Sequence, residues 1–172
     1  MVPASRTGRS LLILFSFLVL VGSTKAEEAF WVAREEPLKD NSWRVYVPSN
    51  ESLSKQAVLI YAELPTGDTP VVPRQVLSQL YHHVKGLKVM GRKKVAWRDG
   101  EGTLVSFSGQ VDKKEKVVGR AVVASTQNGT EVLLLVRHPR SDDRIVESYE
   151  LIRRGIDSFL STKQKSESEA QD

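Results

Sequence analysis

There is no cysteine in this sequence. That excludes disulfide staples, a thiol nucleophile, and a lipid carried on a mature amino-terminal cysteine. Long apolar runs are missing too. The main one, Leu11 to Val21, falls well short of the roughly 20 residues that span a bilayer core. No Gly-x-Ser-x-Gly elbow occurs, and no Ser-x-x-Lys has its partner motifs beside it. Gly100 and Gly102 are not followed by the Lys-Ser/Thr of a phosphate loop. Paired carboxylates are a different matter, because two acids need only meet in space. A bulk excess of charge is lacking as well. The 25 basic residues exceed the 21 acidic ones by four, but Arg6, Arg9 and Lys25 lie within the first 26 positions, leaving a net of +1 beyond them. Overall charge therefore gives no pull toward nucleic acid, and any attraction to an anionic surface must be local.

The first 26 positions read as an export signal. Arg6 and Arg9 precede the apolar run, and Gly22, Ser23, Thr24 and Ala26 follow it. A basic start, a short apolar stretch and a small-residue exit are the parts of a secretory signal peptide, with cleavage expected after Ala26. The competing reading is an uncleaved anchor. The sequence thus divides into a signal peptide (1–26), one domain (27–162) and a disordered polar tail (163–172). An exported domain without cysteine must be held by core packing. That fits a bacterial envelope, periplasmic or extracellular, better than an animal extracellular module. Asn50-Glu51-Ser52 and Asn128-Gly129-Thr130 match the glycosylation pattern and are read as surface turns.

Strands are expected at 30–34, 43–47 and 57–62, then at 87–97, 103–111, 116–125 and 131–137. The alternation of Trp43, Val45 and Val47 against Arg44 and Tyr46 marks a half-buried strand. The unbroken Val132 to Val136 predicts burial on both faces. Asp99-Gly100-Glu101-Gly102, Asp112-Lys113-Lys114 and Asn128-Gly129 supply the turns. A helix is expected over 73–85, with Pro73 in its first turn and Gly86 ending it. A second is expected over 142–160, capped by Ser141. Its stripe of Ile145, Tyr149, Ile152, Ile156 and Phe159 faces the sheet. The order predicts an α+β fold: an antiparallel sheet of about six to seven strands with helices packed on it, an α/β/α sandwich where the helices cover opposite faces.

Gly119-Arg120-Ala121, the strand Val132 to Val136 and the closing Ile156-Asp157-Ser158-Phe159 resemble the PsbP-like (DcrB-like) α/β/α sandwich family. The resemblance implies a non-enzymatic binding or assembly role outside the cytoplasm, and it carries over no functional residue.

One local feature could meet a partner. Lys85, Lys88, Arg92, Lys93, Lys94 and Arg98 form an acid-free basic cluster, with Lys113, Lys114 and Lys116 on a neighbouring hairpin. Such a cluster attracts lipid phosphates or an acidic protein face. The plainer reading is a solvated strand guarding a sheet edge. His82 and His83 are adjacent and would diverge by about 100° on a helix, and no spacing brings His138 to them, so no metal site and no cofactor are expected. Trp31, Trp43 and Trp97 are expected in or beside the core. The functional expectation is an exported binding module whose partner is a protein or membrane-associated assembly, or an anionic membrane surface, without nucleic acid. A small exported hydrolase, or a carrier holding a ligand between helix and sheet, are the alternatives.

Overall fold

The computed structural model describes residues 30–34, 43–65, 84–111 and 115–169. The expected signal peptide with Ala26, residues 73–83 of the helix expected over 73–85 (with His82 and His83), Lys113 and Lys114 lie outside the described residues. The elements are β1 (Trp31–Ala33), β2 (Trp43–Pro48), a one-turn α1 (Glu51–Ser54), β3 (Ala57–Pro65), β4 (Val84–Trp97), β5 (Gly100–Val111), β6 (Glu115–Thr126), β7 (Gly129–Arg137), α2 (Asp143–Arg154) and α3 (Ile156–Glu169). The strands form one seven-stranded sheet, ordered β1-β2-β3-β7-β6-β5-β4. Every neighbouring pair is antiparallel. The fold is α+β, as the sequence predicts.

The central strands explain why the sheet holds. Within β7, Val132, Leu133, Leu134 and Leu135 have no exposed surface. Leu133 and Leu135 join Leu59, Leu104 and Val122 under the helix stripe Ile145, Tyr149, Ile152, Ile156 and Phe159. Val132, Leu134 and Val136 join Ile60, Val105, Phe107, Ala121 and Val123 on the far face. A strand buried on both sides needs apolar residues at every position, hence the unbroken run. Burying one such Ile or Phe contributes about 1.5–3 kcal/mol. Trp31 is fully buried, and its indole N–H donates to Ser148 Oγ at 2.6 Å, tying the first strand to α2. Trp97 is also buried, and Trp43 packs half-buried against the far-face cluster.

Several local expectations are corrected. Val84 and Lys85 open β4 instead of closing a helix, and Gly86 (φ +62°) lies inside that strand. The β4–β5 turn is Arg98-Asp99, and Gly100 to Gly102 belong to β5. Gly102 is a packing glycine: a Cβ there would stand 2.8 Å from Val122 Cγ1. The last hairpin turns at Gln127-Asn128, because Thr126 pairs with Gly129. The α2 cap is Asp142, whose carboxylate accepts from the Arg144 N–H at 2.9 Å. Ser141 is instead buried and accepts from Arg137. The single helix expected over 142–160 is two, separated at Gly155. Helix α3 runs on to Glu169, within the stretch that the sequence assigns to a tail.

Candidate functional site

The basic cluster falls on β4, which ends the sheet order and so forms an edge. Strand alternation alone would scatter its cations over both faces. The register shows how they are sorted. Lys93 opposes Leu104 of the helix-side core, so Lys93, Val95 and Trp97 share the helix side, while Arg92 and Lys94 oppose Val105 and Thr103 on the far side.

Two register shifts alter this parity. Lys85 pairs with Gln110 and Lys88 with Ser108, three steps on β4 against two on β5. Val89 pairs with Phe107 and Gly91 with Ser106, two steps against one. Each shift inserts one extra residue, the defining feature of a β-bulge. The first contains Gly86 at φ +62°, a left-handed conformation that glycine adopts without the Cβ penalty. Together the bulges invert only residues 87–89. Leu87 and Val89 turn to the far-face core, and Lys88 turns to the helix side beside Lys85. Met90, the extra residue of the second bulge, is left 71% exposed.

Both of these lysines are exposed on the helix side. Along β5 it carries Leu104, which is buried, then half-buried Ser106 and Ser108, then exposed Gln110. Helix α2 packs over the apolar end, with Ile145, Tyr149 and Ile152 in one cluster with Leu104. The remainder is a groove of about 560 Å³ lined by Lys85, Gly86, Lys88, Ser108, Gly109, Gln110, Lys116, Val117, Val118 and Pro139. Among the described residues, no acid and no histidine lines it. Lys85, Lys88 and Lys116 are exposed, and their side chains form no hydrogen bond or ion pair among the described residues.

The other predicted cations are placed differently. Lys94 pairs with Glu101 at 3.3 Å, and both are exposed. Lys93 is exposed on the helix side without lining the groove. Arg92 is exposed on the far side. Arg98 is a structural clip: its Nε meets Glu131 at 3.0 Å, one terminal nitrogen meets Asp157 at 2.9 Å, and the other donates to the Tyr61 hydroxyl at 3.2 Å. Glu131 also accepts from the Trp97 indole at 2.8 Å. Burial, then the hydrogen bond to Glu63, pushes the Tyr61 phenol well above its ordinary pKa. Arg98 holds a positive φ of 47° at the turn, so the network fixes a backbone conformation that costs a non-glycine residue.

Sequence reasoning missed Ser108 and Gln110 as groove residues and missed two arginines at its border. Arg120 is paired with Glu150 at 2.9 Å, and Arg137 donates to Ser141 Oγ at 3.0 Å. Burial first and the Arg120 charge second hold the Arg137 guanidinium below its usual pKa. The signal for the groove is Ser106-x-Ser108-x-Gln110, where one face of a strand turns polar while the other stays apolar. No group of three or more His, Cys, Asp or Glu that could hold a metal occurs among the described residues.

No family model matches the chain, and no curated protein matches it. Among solved structures, it is similar to a Pseudomonas aeruginosa protein of unknown function, with a TM-score of 0.51 at 14% identity, over 70% of this chain and 92% of that one. It also matches the Saccharomyces cerevisiae Ran-binding protein Mog1p, with a TM-score of 0.48 at 15% identity, over 77% of this chain and 84% of that one. The Pseudomonas likeness, at that identity, is a likeness of fold: an antiparallel sheet with helices packed on it.

Proposed function

We propose that the chain is an exported, non-catalytic binding or assembly module that meets an anionic partner through the lysine-bearing half of its helix-side sheet face. One observation carries this reading: two compensating bulges bring Lys85 and Lys88 onto one face, where they share with Lys116 a groove whose described lining holds no acid. Lysines and bulges both also protect a sheet edge, and what sets this edge apart is that Lys85 and Lys88 share one face with Lys116 of β6. The described residues of the groove lining offer no carboxylate or imidazole as a general base, which favours binding over hydrolysis at this place. A net charge of +1 beyond the signal makes the attraction local, suited to one docking surface. The partner would be a protein or membrane-associated assembly. The signal-like first 26 residues and the PsbP-like features of the carboxyl-terminal half support a role outside the cytoplasm.

The test separates the two faces of β4. Binding of the purified protein to anionic vesicles, and capture of partners from its own membrane extract, would be measured at low salt. The triple reversal Lys85→Glu, Lys88→Glu and Lys116→Glu should abolish binding. Reversal of Arg92 and Lys94 to Glu should leave most of it. Equal losses would remove the groove from the account, and no binding in either assay would end the proposal. Amino-terminal sequencing of native protein tests the export half, which fails if the chain still begins at Met1 in a soluble cytosolic fraction.

A further inference from the structure

We propose that this groove is a phosphate cradle, taking the tetrahedral, doubly charged head of a phosphomonoester. The proposal rests on the binding reading above and names the chemistry of its ligand.

The register sets out the donors in two rungs. Lys85, Gln110 and Lys116 are paired across β4, β5 and β6, and one rung inward Lys88 pairs with Ser108. Neighbouring strands are about 4.8 Å apart, so the Lys85 and Lys116 backbones stand roughly 10 Å apart with the Gln110 amide between them. Lysine stems are long enough for both ammonium groups to converge on one group seated over that amide. Lys88 approaches from the second rung, and the Ser108 hydroxyl, which donates to Met90 Sδ at 3.7 Å, can exchange that weak bond for one to a ligand oxygen.

The count of donors selects the ligand. Three ammonium groups, one carboxamide and one hydroxyl face a groove with no acid among its described lining residues. A carboxylate brings one charge and two oxygens, which leaves most of these donors unused. A phosphomonoester brings a charge of about −1.5 to −2 near neutral pH and three strong acceptor oxygens. The neighbouring arginines Arg120 and Arg137 are already engaged by Glu150 and Ser141, so among the described lining residues the three lysines are the cations left for a ligand. The Gly86 bulge is part of the site, because without the inversion it begins Lys88 would point away from Lys85.

The test uses the purified full chain with three probes: inorganic phosphate, phosphatidylcholine vesicles containing phosphatidic acid, and vesicles of matched surface potential containing phosphatidylserine. Phosphatidic acid vesicles should bind several-fold more tightly than phosphatidylserine vesicles. Lys85→Gln, Lys88→Gln and Lys116→Gln should each weaken that binding about fivefold. Gln110→Glu and Arg92→Gln change the net charge equally, so they separate site from bulk attraction: the first should abolish the preference and the second should keep it. Amide resonances of Lys88, Ser108 and Gln110 that shift with inorganic phosphate would assign a free phosphate ligand. The vesicle preference without those shifts would assign a lipid headgroup. Equal binding to both vesicles, with no phosphate shifts, overturns the cradle and leaves the broader anionic-partner reading intact. Failure of every probe also overturns the cradle, and capture from the membrane extract then decides the broader reading separately.

Discussion

Replacing Gly119 by alanine should be the most damaging small change in the sheet, and the reason can be followed atom by atom. By register, Gly119 lies between Phe107 of β5 and Val136 of β7. An added Cβ would overlap the Phe107 ring at Cζ, lie 2.7 Å from its Cε1, and lie 2.5 Å from the Leu135 carbonyl oxygen. The ring has little room to withdraw, because Phe107 is 2% exposed in the far-face cluster. The carbonyl belongs to the β7 backbone, and moving it disturbs the central ladder. Overpacking of this kind costs typically about 1–3 kcal/mol, and two immovable neighbours put Gly119→Ala at the upper end. Three other glycines calibrate the claim. At Gly102 the nearest atom is a side-chain methyl group, so the cost should be smaller. At Gly86 there is open space but φ is +62°, so alanine pays roughly 1–2 kcal/mol for a left-handed backbone alone. At Gly91 there is open space and no positive φ, so alanine should be neutral or stabilising by up to about 1 kcal/mol. Urea unfolding followed by the fluorescence of buried Trp31 and Trp97 gives all four values. Adding Phe107→Leu to Gly119→Ala should restore the part due to the ring, never the part due to the carbonyl. A Gly119→Ala protein as stable as the parent, or less harmed than Gly91→Ala, would refute the packing argument.

Two further outcomes are expected. Ser148→Ala removes the acceptor of the buried Trp31 indole and should cost about 1–3 kcal/mol, while the double variant with Trp31→Phe should cost less than the two single changes together, as a double-mutant cycle in urea would show. The Asp142 carboxylate, held near pKa 2 by its bonds to the Arg144 side chain and backbone, is depressed below the ordinary value of 3.8. Its contribution to α2 is therefore present above about pH 4 and lost as pH falls toward 2, and Asp142→Asn should flatten stability across that window in acid titration.

The basic cluster shows why the fold was more legible than the site. A strand buried on both faces must be apolar at each position, and a helix lying on a sheet must show a stripe. Val132 to Val136 and Ile145 to Phe159 obey rules that need no knowledge of their neighbours. Glycine obeys no such rule. Gly102 and Gly119 leave space for Val122 and Phe107, yet by composition they look the same as turn residues, so composition sets the β4–β5 turn later than Arg98-Asp99, where it lies. Gly155 carries no mark separating a helix break from a tolerated interior glycine, and its effect depends on where α3 must lie to bury Phe159 and Leu160. Lys88 is the sharpest case. Its face depends on two bulges, and a bulge is defined by the register of the partner strand, which lies twenty residues away in sequence at Ser108. Leu87 and Val89 do carry a trace of the inversion, since they are apolar where Lys85 and Lys93 are charged although regular alternation would place all four on one side. An apparent fault in strand periodicity, with glycines at both ends, is what a pair of compensating bulges looks like before the partner strand is known. Their joint effect is to place two core residues on one side and a single extra cation on the other.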